Sequence, residues 1–186
     1  KKKINQKKAG FSGTLDPLAS GLLIIFFNKA TKLCSLFLGA DKSYEATIKL
    51  GYVSETGDSD GEIISVKDVP NLNDHDLRVL EEKYTGVIEQ VPPMYSALKH
   101  KGVRLYEYAR KGINIERDAR KVTIYNIKLD IIDRGHLALK VKCSKGTYIR
   151  TLAEQIGEDI GCGALLTKLV RTKINNIDLS SAVNFE

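Results

Sequence analysis

The sequence predicts a single domain of the α+β class, covering residues 1–186, and three observations carry that prediction. Three segments alternate between apolar and polar residues, as half-buried strands do. Two others set apolar residues at helical spacing behind a capping residue. No repeat of solenoid period joins them into an array, and 42% hydrophobic content over 186 residues can bury a core without disulfide or metal staples.

In chain order, Gly13-Thr14-Leu15-Asp16-Pro17-Leu18-Ala19-Ser20-Gly21 reads as a stiff loop. Pro17 biases Asp16 away from helical backbone, and the small residues permit a tight turn. A carboxylate displayed from such a loop can act as a nucleophile; equally, Asp-Pro starts many turns and Asp16 can simply hydrogen-bond its own loop. Leu22 to Phe27 reads as a strand buried on both faces. Ser43 to Val53 alternates, with Tyr44, Ala46, Ile48, Leu50 and Tyr52 on one face and Glu45, Thr47 and Lys49 on the other. The acidic, Gly-rich segment 55–61 reads as a turn. Its spacing is loosely that of a calcium loop, but the Glu at the twelfth position and the flanking helix pair are missing.

Asn73 is placed to cap a helix that carries Leu77, Leu80 and Tyr84 and is ended by Gly86. The stretch from Pro92 to Lys111 interleaves Tyr95, Tyr106 and Tyr108 with Lys99, Lys101, Arg104 and Arg110. Such a pattern offers phosphate contacts and stacking faces to looped RNA, or forms a solvated amphipathic helix with core tyrosines. Thr123-Tyr125-Ile127-Leu129-Ile131 and Leu137-Leu139-Val141-Cys143 alternate on either side of Asp133-Arg134-Gly135, which predicts a hairpin. Thr147 can cap a second helix, whose stripe of Ile149, Leu152, Ile156 and Ile160 ends at Gly161. Arg150 falls in the first turn, where the helix dipole disfavours a cation, so it needs a partner. With Lys145 it would make an anion-binding corner; alternatively it pairs with Glu154 one turn on.

Lys and Arg total 29 against 23 Asp and Glu, and the formal charge of +6 favours a polyanionic partner. Cys34, Cys143 and Cys162 are odd in number and far apart, which argues against a disulfide framework and a Cys-x-x-Cys metal site and fits a reducing compartment. The longest apolar run, from Gly21 to Phe27, is far below the roughly 18 residues of a membrane span. A soluble, cytoplasmic protein without a membrane partner is expected, and the lack of a heptad pattern predicts a monomer.

Five blocks in register carry a resemblance: Gly13-Thr14-Leu15-Asp16-Pro17-Leu18-Ala19-x-Gly21 before an apolar strand, Asp41-Lys42-x-Tyr44, Pro93-Met94-Tyr95-Ser96-Ala97-Leu98-Lys99, Leu105-Tyr106-Glu107-Tyr108-Ala109-Arg110, and Ser144-Lys145-Gly146-Thr147-Tyr148-Ile149-Arg150. Over nearly the whole chain they resemble the bacterial tRNA pseudouridine 55 synthases, the TruB family. The stretch from Met94 to Lys99 is more similar to the bacterial branch than to its guide-RNA-dependent relatives. The resemblance implies the pseudouridine-synthase catalytic fold, a mixed, mainly antiparallel sheet flanked by helices and loops. It also implies that the family's N-terminal strand segment and C-terminal RNA-binding domain are absent here. The implied reaction converts a T-loop uridine of tRNA (position 55) to pseudouridine, exchanging the N1–C1′ bond for C5–C1′, with base flipping and with neither cofactor nor metal; the implied partner is the T-arm stem-loop.

By the same resemblance Asp16 is the essential carboxylate, Arg150 the arginine that pairs with it, and Tyr44 the ring that stacks on the target base and can assist proton transfer. Tyr148 and Leu169 line the uridine pocket, Leu169 serving the core as well, and Lys145 binds substrate. Lys99, Lys101, Arg104 and Arg110 are expected along the RNA backbone, on a segment that is mobile until RNA arrives. Phe11 stands where the family usually has a His that fills the space left by the extruded base. Phe can stack but cannot donate a hydrogen bond or carry a proton. A second reading stays open for that reason, a tRNA-binding or tRNA-folding protein of the same fold without catalysis.

Overall fold

The computed structural model describes residues 6–184. Its first third holds β1 (Ala9–Phe11), β2 (Ala19–Gly21), β3 (Ile25–Phe27), a 3-10 turn over Asn28–Leu33, α1 (Cys34–Leu38), β4 (Lys42–Leu50), β5 (Tyr52–Ser54) and β6 (Ile63–Ser65). Then come α2 (Asp74–Tyr84), β7 (Gly86–Gln90), β8 (Lys99–His100), β9 (Val103–Arg104) and α3 (Leu105–Ala109). The last third is β10 (Arg120–Asp133), β11 (His136–Cys143), α4 (Ile149–Ile160), β12 (Ala164–Ile174) and β13 (Ile177–Asp178). Among the described residues the central sheet runs β13-β12-β4-β11-β10-β7 with antiparallel neighbours, and β2 joins β12 in parallel. The fold is therefore the mixed, mainly antiparallel α+β architecture expected.

The alternating residues account for the core. Ala46, Ile48 and Leu50 of β4 face the same side as Leu137, Leu139 and Val141 of β11, and this side meets Leu77 and Leu80 of α2 and Leu152 and Ile156 of α4. Burial of each large aliphatic side chain contributes roughly 1.5–3 kcal/mol, which is what holds the helices to the sheet. Helix α2 begins in a capping box: Asn73 Oδ1 accepts from the amides of His75 and Asp76, while Asp76 Oδ2 accepts from the amide of Asn73. Its other end is tied to α4, where the Tyr84 hydroxyl donates to Asp159 at 2.8 Å. Among the described residues no helix is long and apolar enough to cross a membrane.

Four local expectations are corrected. Leu22 to Phe27 is not one doubly buried strand: only Leu22 and Phe26 are buried, while Leu23 and Ile25 are exposed. The chain leaves β12 after Gly21, whose φ of +100 redirects it toward the β1–β3 hairpin. The strand predicted from Ser43 to Val53 breaks at Gly51, φ +82, and Tyr52 starts the separate β5–β6 hairpin. In β10 a bulge between Ile124 and Asn126 shifts the phase, so Val122 and Ile124 are buried in place of Thr123 and Tyr125. Thr147 does not cap α4. Its hydroxyl donates to the Ser144 carbonyl at 2.9 Å, and Tyr148, in extended backbone, holds the N-cap position. The helix ends at Gly161 in left-handed backbone, as its sequence predicts.

Candidate active site

Arg150 is the centre of the site. Its side chain is 4% exposed, and its guanidinium reaches three loops: Nε donates to Asp16 Oδ2 at 2.9 Å, Nη1 to the Thr56 carbonyl at 2.6 Å and Nη2 to the Tyr95 carbonyl at 2.8 Å. Asp58 Oδ2 lies 3.7 Å from Nε. Asp58 is itself buried, held by the Thr56 hydroxyl and the Asp60 amide. A cation at a helix start is thus balanced by two carboxylates and two carbonyls, and Arg150 turns to Asp16 and Asp58 where the sequence also offered Glu154. Asp16 differs from its partner in exposure. Its side chain is 37% exposed, so one face of the carboxylate is fixed by the protein and the rest is open.

The Asp16 loop is fastened from below by Arg171, which is 2% exposed. Its Nε donates to the Leu22 carbonyl at 2.8 Å and its Nη2 to the Gly13 carbonyl at 3.2 Å, bracketing the loop at both ends. Gly21 lies flat against β12, where a Cβ would overlap the Arg171 backbone. Lys42 secures the far side by donating to the carbonyls of Phe37, Leu38 and Ala40 at the end of α1. Tyr44 stands opposite Arg171 on β12 and Val141 on β11. Burial pushes its phenol up to about 12, with Cys143 and more weakly Asp16 acting in the same direction and Arg171 opposing, so Tyr44 is a neutral hydrogen-bond donor across the physiological range. Leu169, two residues before Arg171 and 6% exposed, packs in the core opposite Ala46 and beside Ala19.

Tyr148 sits at the start of α4 within Coulombic reach of Asp16 and Arg150, and burial raises its phenol pKa. Lys145 is exposed on the preceding turn. Because the Arg150 guanidinium is buried and bound to protein groups, the two do not form the joint anion-binding corner suggested by the sequence. Phe11 is 48% exposed in β1, opposite Ile25. Lys99, Lys101, Arg104 and Arg110 are exposed on the β8–β9 hairpin and at the end of α3, not on one long amphipathic helix, and the Arg104 and Arg110 guanidinium groups lie 5.8 and 5.2 Å from the Tyr106 ring centre.

Three residues of the site escaped the sequence reading. The 55–61 segment is a turn as expected, yet it supplies Thr56 and Asp58 to Arg150, and nothing local to it marks that contact. Arg171 did carry a signal: a charge two residues after Leu169, on the same face of the strand as that core leucine, needs a buried partner.

The model of the TruB family pseudouridylate synthases (N-terminal domain) matches residues 1–149. The chain belongs to the TruB family. Among curated TruB-type relatives, the chain is 50% identical over 183 residues to a tRNA pseudouridine synthase B of Azoarcus sp. (strain BH72), covering 98% of this chain and 61% of that protein. It is 51% identical over 189 residues to the tRNA pseudouridine synthase B of Cupriavidus metallidurans, covering 100% of this chain and 60% of the relative. The chain therefore spans about three fifths of these relatives' length. Among solved structures, a Cbf5-Nop10-Gar1 complex superposes with a TM-score of 0.70 at 28% identity, over 95% of this chain and 44% of the other. An H/ACA RNP bound to a substrate RNA containing 2'-deoxyuridine gives a TM-score of 0.66 at 28% identity, over 95% and 42%.

Proposed function

We propose that residues 1–186 form the catalytic domain of a tRNA pseudouridine synthase that isomerises the T-loop uridine at position 55. The observation that carries this reading is the Asp16–Arg150 pair, an accessible carboxylate held by a buried guanidinium that is itself fixed by two further hydrogen bonds. Family membership and the curated relatives' names point the same way.

A uridine inside the T-loop stack cannot reach Asp16, so the nucleotide is extruded, at a cost of a few kcal/mol recovered in pocket and backbone contacts. Exposed Phe11 is placed to stack in the space left behind. The base then lies between Tyr44, Tyr148 and Leu169, with Lys145 at the rim. Asp16 engages the nucleotide as the N1–C1′ bond breaks. The freed uracil presents C5 in place of N1, the C5–C1′ bond forms, the C5 proton departs and N1 takes up a proton, so the product is an isomer of the substrate with nothing added. Tyr44 offers a ring face and an O–H donor throughout. Lys99, Lys101, Arg104 and Arg110 supply phosphate contacts along the T-arm.

Incubation of the full-length protein with an unmodified tRNA transcript, followed by detection of pseudouridine, tests the proposal. Product is expected at the T-loop uridine. Asp16→Asn is expected to fold and bind tRNA and to yield none. Binding without product from the wild-type protein would leave a tRNA-binding protein of the same fold and would refute catalysis.

A further inference from the structure

We propose that Gln90 is a positioning residue of this site, holding the Tyr148 peptide and with it the first turn of α4 that presents Tyr148 and Arg150. The inference rests on the functional reading above. Gln90 is the last residue of β7 and is 2% exposed. Its side-chain amide pairs with both backbone groups of one residue, as a strand partner would: Oε1 accepts from the Tyr148 amide at 3.0 Å, and Nε2 donates to the Tyr148 carbonyl at 3.2 Å. Nε2 is also 3.5 Å from Gln155 Oε1, about two turns along α4.

This pairing replaces a strand partner where none exists. At Tyr148 the chain has left β11 and has not yet entered α4, and its backbone is still extended, at φ −99 and ψ 111. An N-cap amide has no intrahelical acceptor, and the Tyr148 side chain makes no cap bond of its own, so Gln90 Oε1 is the partner of the amide. The Tyr148 carbonyl already accepts the first helical bond, from the Leu152 amide at 3.0 Å, and the Gln90 donor occupies its second lone pair. The same strand end continues to Tyr95, whose carbonyl takes Arg150 Nη2. One connection, residues 90–95, therefore grips the start of α4 at its backbone and at its catalytic-site arginine. A contact placed here sets where the Tyr148 ring and the Arg150 fork lie relative to Asp16.

The chemistry separates positioning from packing. A carboxylate at this place can accept from the Tyr148 amide but opposes the Tyr148 carbonyl, whereas a carboxylic acid accepts and donates as the amide does. Arg120, the cross-strand neighbour of Gln90 on β10, is the charged group beside it on the sheet, and Gln155 faces it from α4; burial raises the pKa of a carboxyl placed here and the Arg120 cation opposes that, so the group is ionised at about pH 8 and takes up its proton as the pH falls. Gln90→Glu is therefore expected to lower the single-turnover rate about a hundredfold at about pH 8 with unchanged affinity for a T-arm stem-loop. The rate relative to wild type is expected to recover at least tenfold as the pH is lowered to about 5.5. Gln90→Met, which fills the volume without either bond, is expected to lose about a hundredfold at every pH. A wild-type-like pH profile for Gln90→Glu, a Gln90→Met rate within about twofold of wild type, or loss of the near-ultraviolet circular dichroism of either variant at pH 8 would each overturn the inference, the last because the residue would then serve the fold. A wild-type protein that makes no pseudouridine in the same assay would instead overturn the functional reading on which it rests.

Discussion

Arg150 shows what a buried charge needs in order to serve a site. Desolvation of a guanidinium costs several kcal/mol, and the start of a helix adds an unfavourable dipole. Hydrogen bonds to Asp16, Thr56 and Tyr95, with Asp58 close by, offset both, and the bond from Nε ties one oxygen of the Asp16 carboxylate to the protein. Glu154, one turn along α4, lies beneath Gly57 of the same network and has no such compensation: burial pushes its carboxyl up to about 7 from 4.5, with Arg150 opposing. A folded-state pKa above the unfolded value means that the folded protein holds a proton that the unfolded chain has released. Below about pH 4.5 Glu154 is protonated in both states and costs nothing; stability then falls as pH rises through the window from 4.5 to about 7 and levels off above it. Glu154→Gln is expected to remove that loss, gaining on the order of 2 kcal/mol over wild type at pH 8 relative to pH 4.5. Urea unfolding of both proteins at the two pH values measures it, and parallel pH dependences would contradict it.

At the scale of elements, α4 is the part whose placement matters most, since it carries Tyr148 and Arg150 and packs against β12, which carries Leu169 and Arg171. The close approach depends on Gly157. A Cβ there would overlap the Ala164 amide and side chain, and the Gly157 carbonyl accepts from the amides of Gly161, Cys162 and Gly163 in the turn that reverses the chain. Gly157→Ala is expected to destabilise the protein by about 1–3 kcal/mol, read as a lower urea midpoint with an unchanged slope. The strands teach a related lesson. Alternation in β4 and β11 predicted the buried faces correctly, because no irregularity interrupts those pairs. In β10 the bulge after Ile124 moved Tyr125 to the outside, where its hydroxyl donates to Asp41 and the Lys142 ammonium lies over its ring.

At the scale of the whole molecule, the charge of +6 acquires a location. Lys99, Lys101, Arg104 and Arg110 stand exposed on the arm formed by β8, β9 and α3, and Tyr95, on the segment leading into that arm, meets Arg150. Association with tRNA is therefore expected to weaken with salt, and Lys99→Ala with Lys101→Ala is expected to reduce the slope of log affinity against log salt by about 2. An unchanged slope in a salt titration would remove these lysines from the RNA path. The sequence by itself determined the α+β class, the capped helix α2, the C-terminal end of α4, the faces of β4 and β11, and, through its motifs, the candidates Asp16, Tyr44 and Arg150, because periodicity, caps and short motifs are properties of neighbouring residues. The motifs also implied the Arg150–Asp16 pair; only the tertiary structure decided that Arg150 binds carbonyls 94 and 55 residues away as well, that Asp58 and Arg171 stand beside that pair, and that Gln90 pairs with Tyr148. A hydrogen bond between distant segments forms only after the sheet has brought them together, and no local pattern records it.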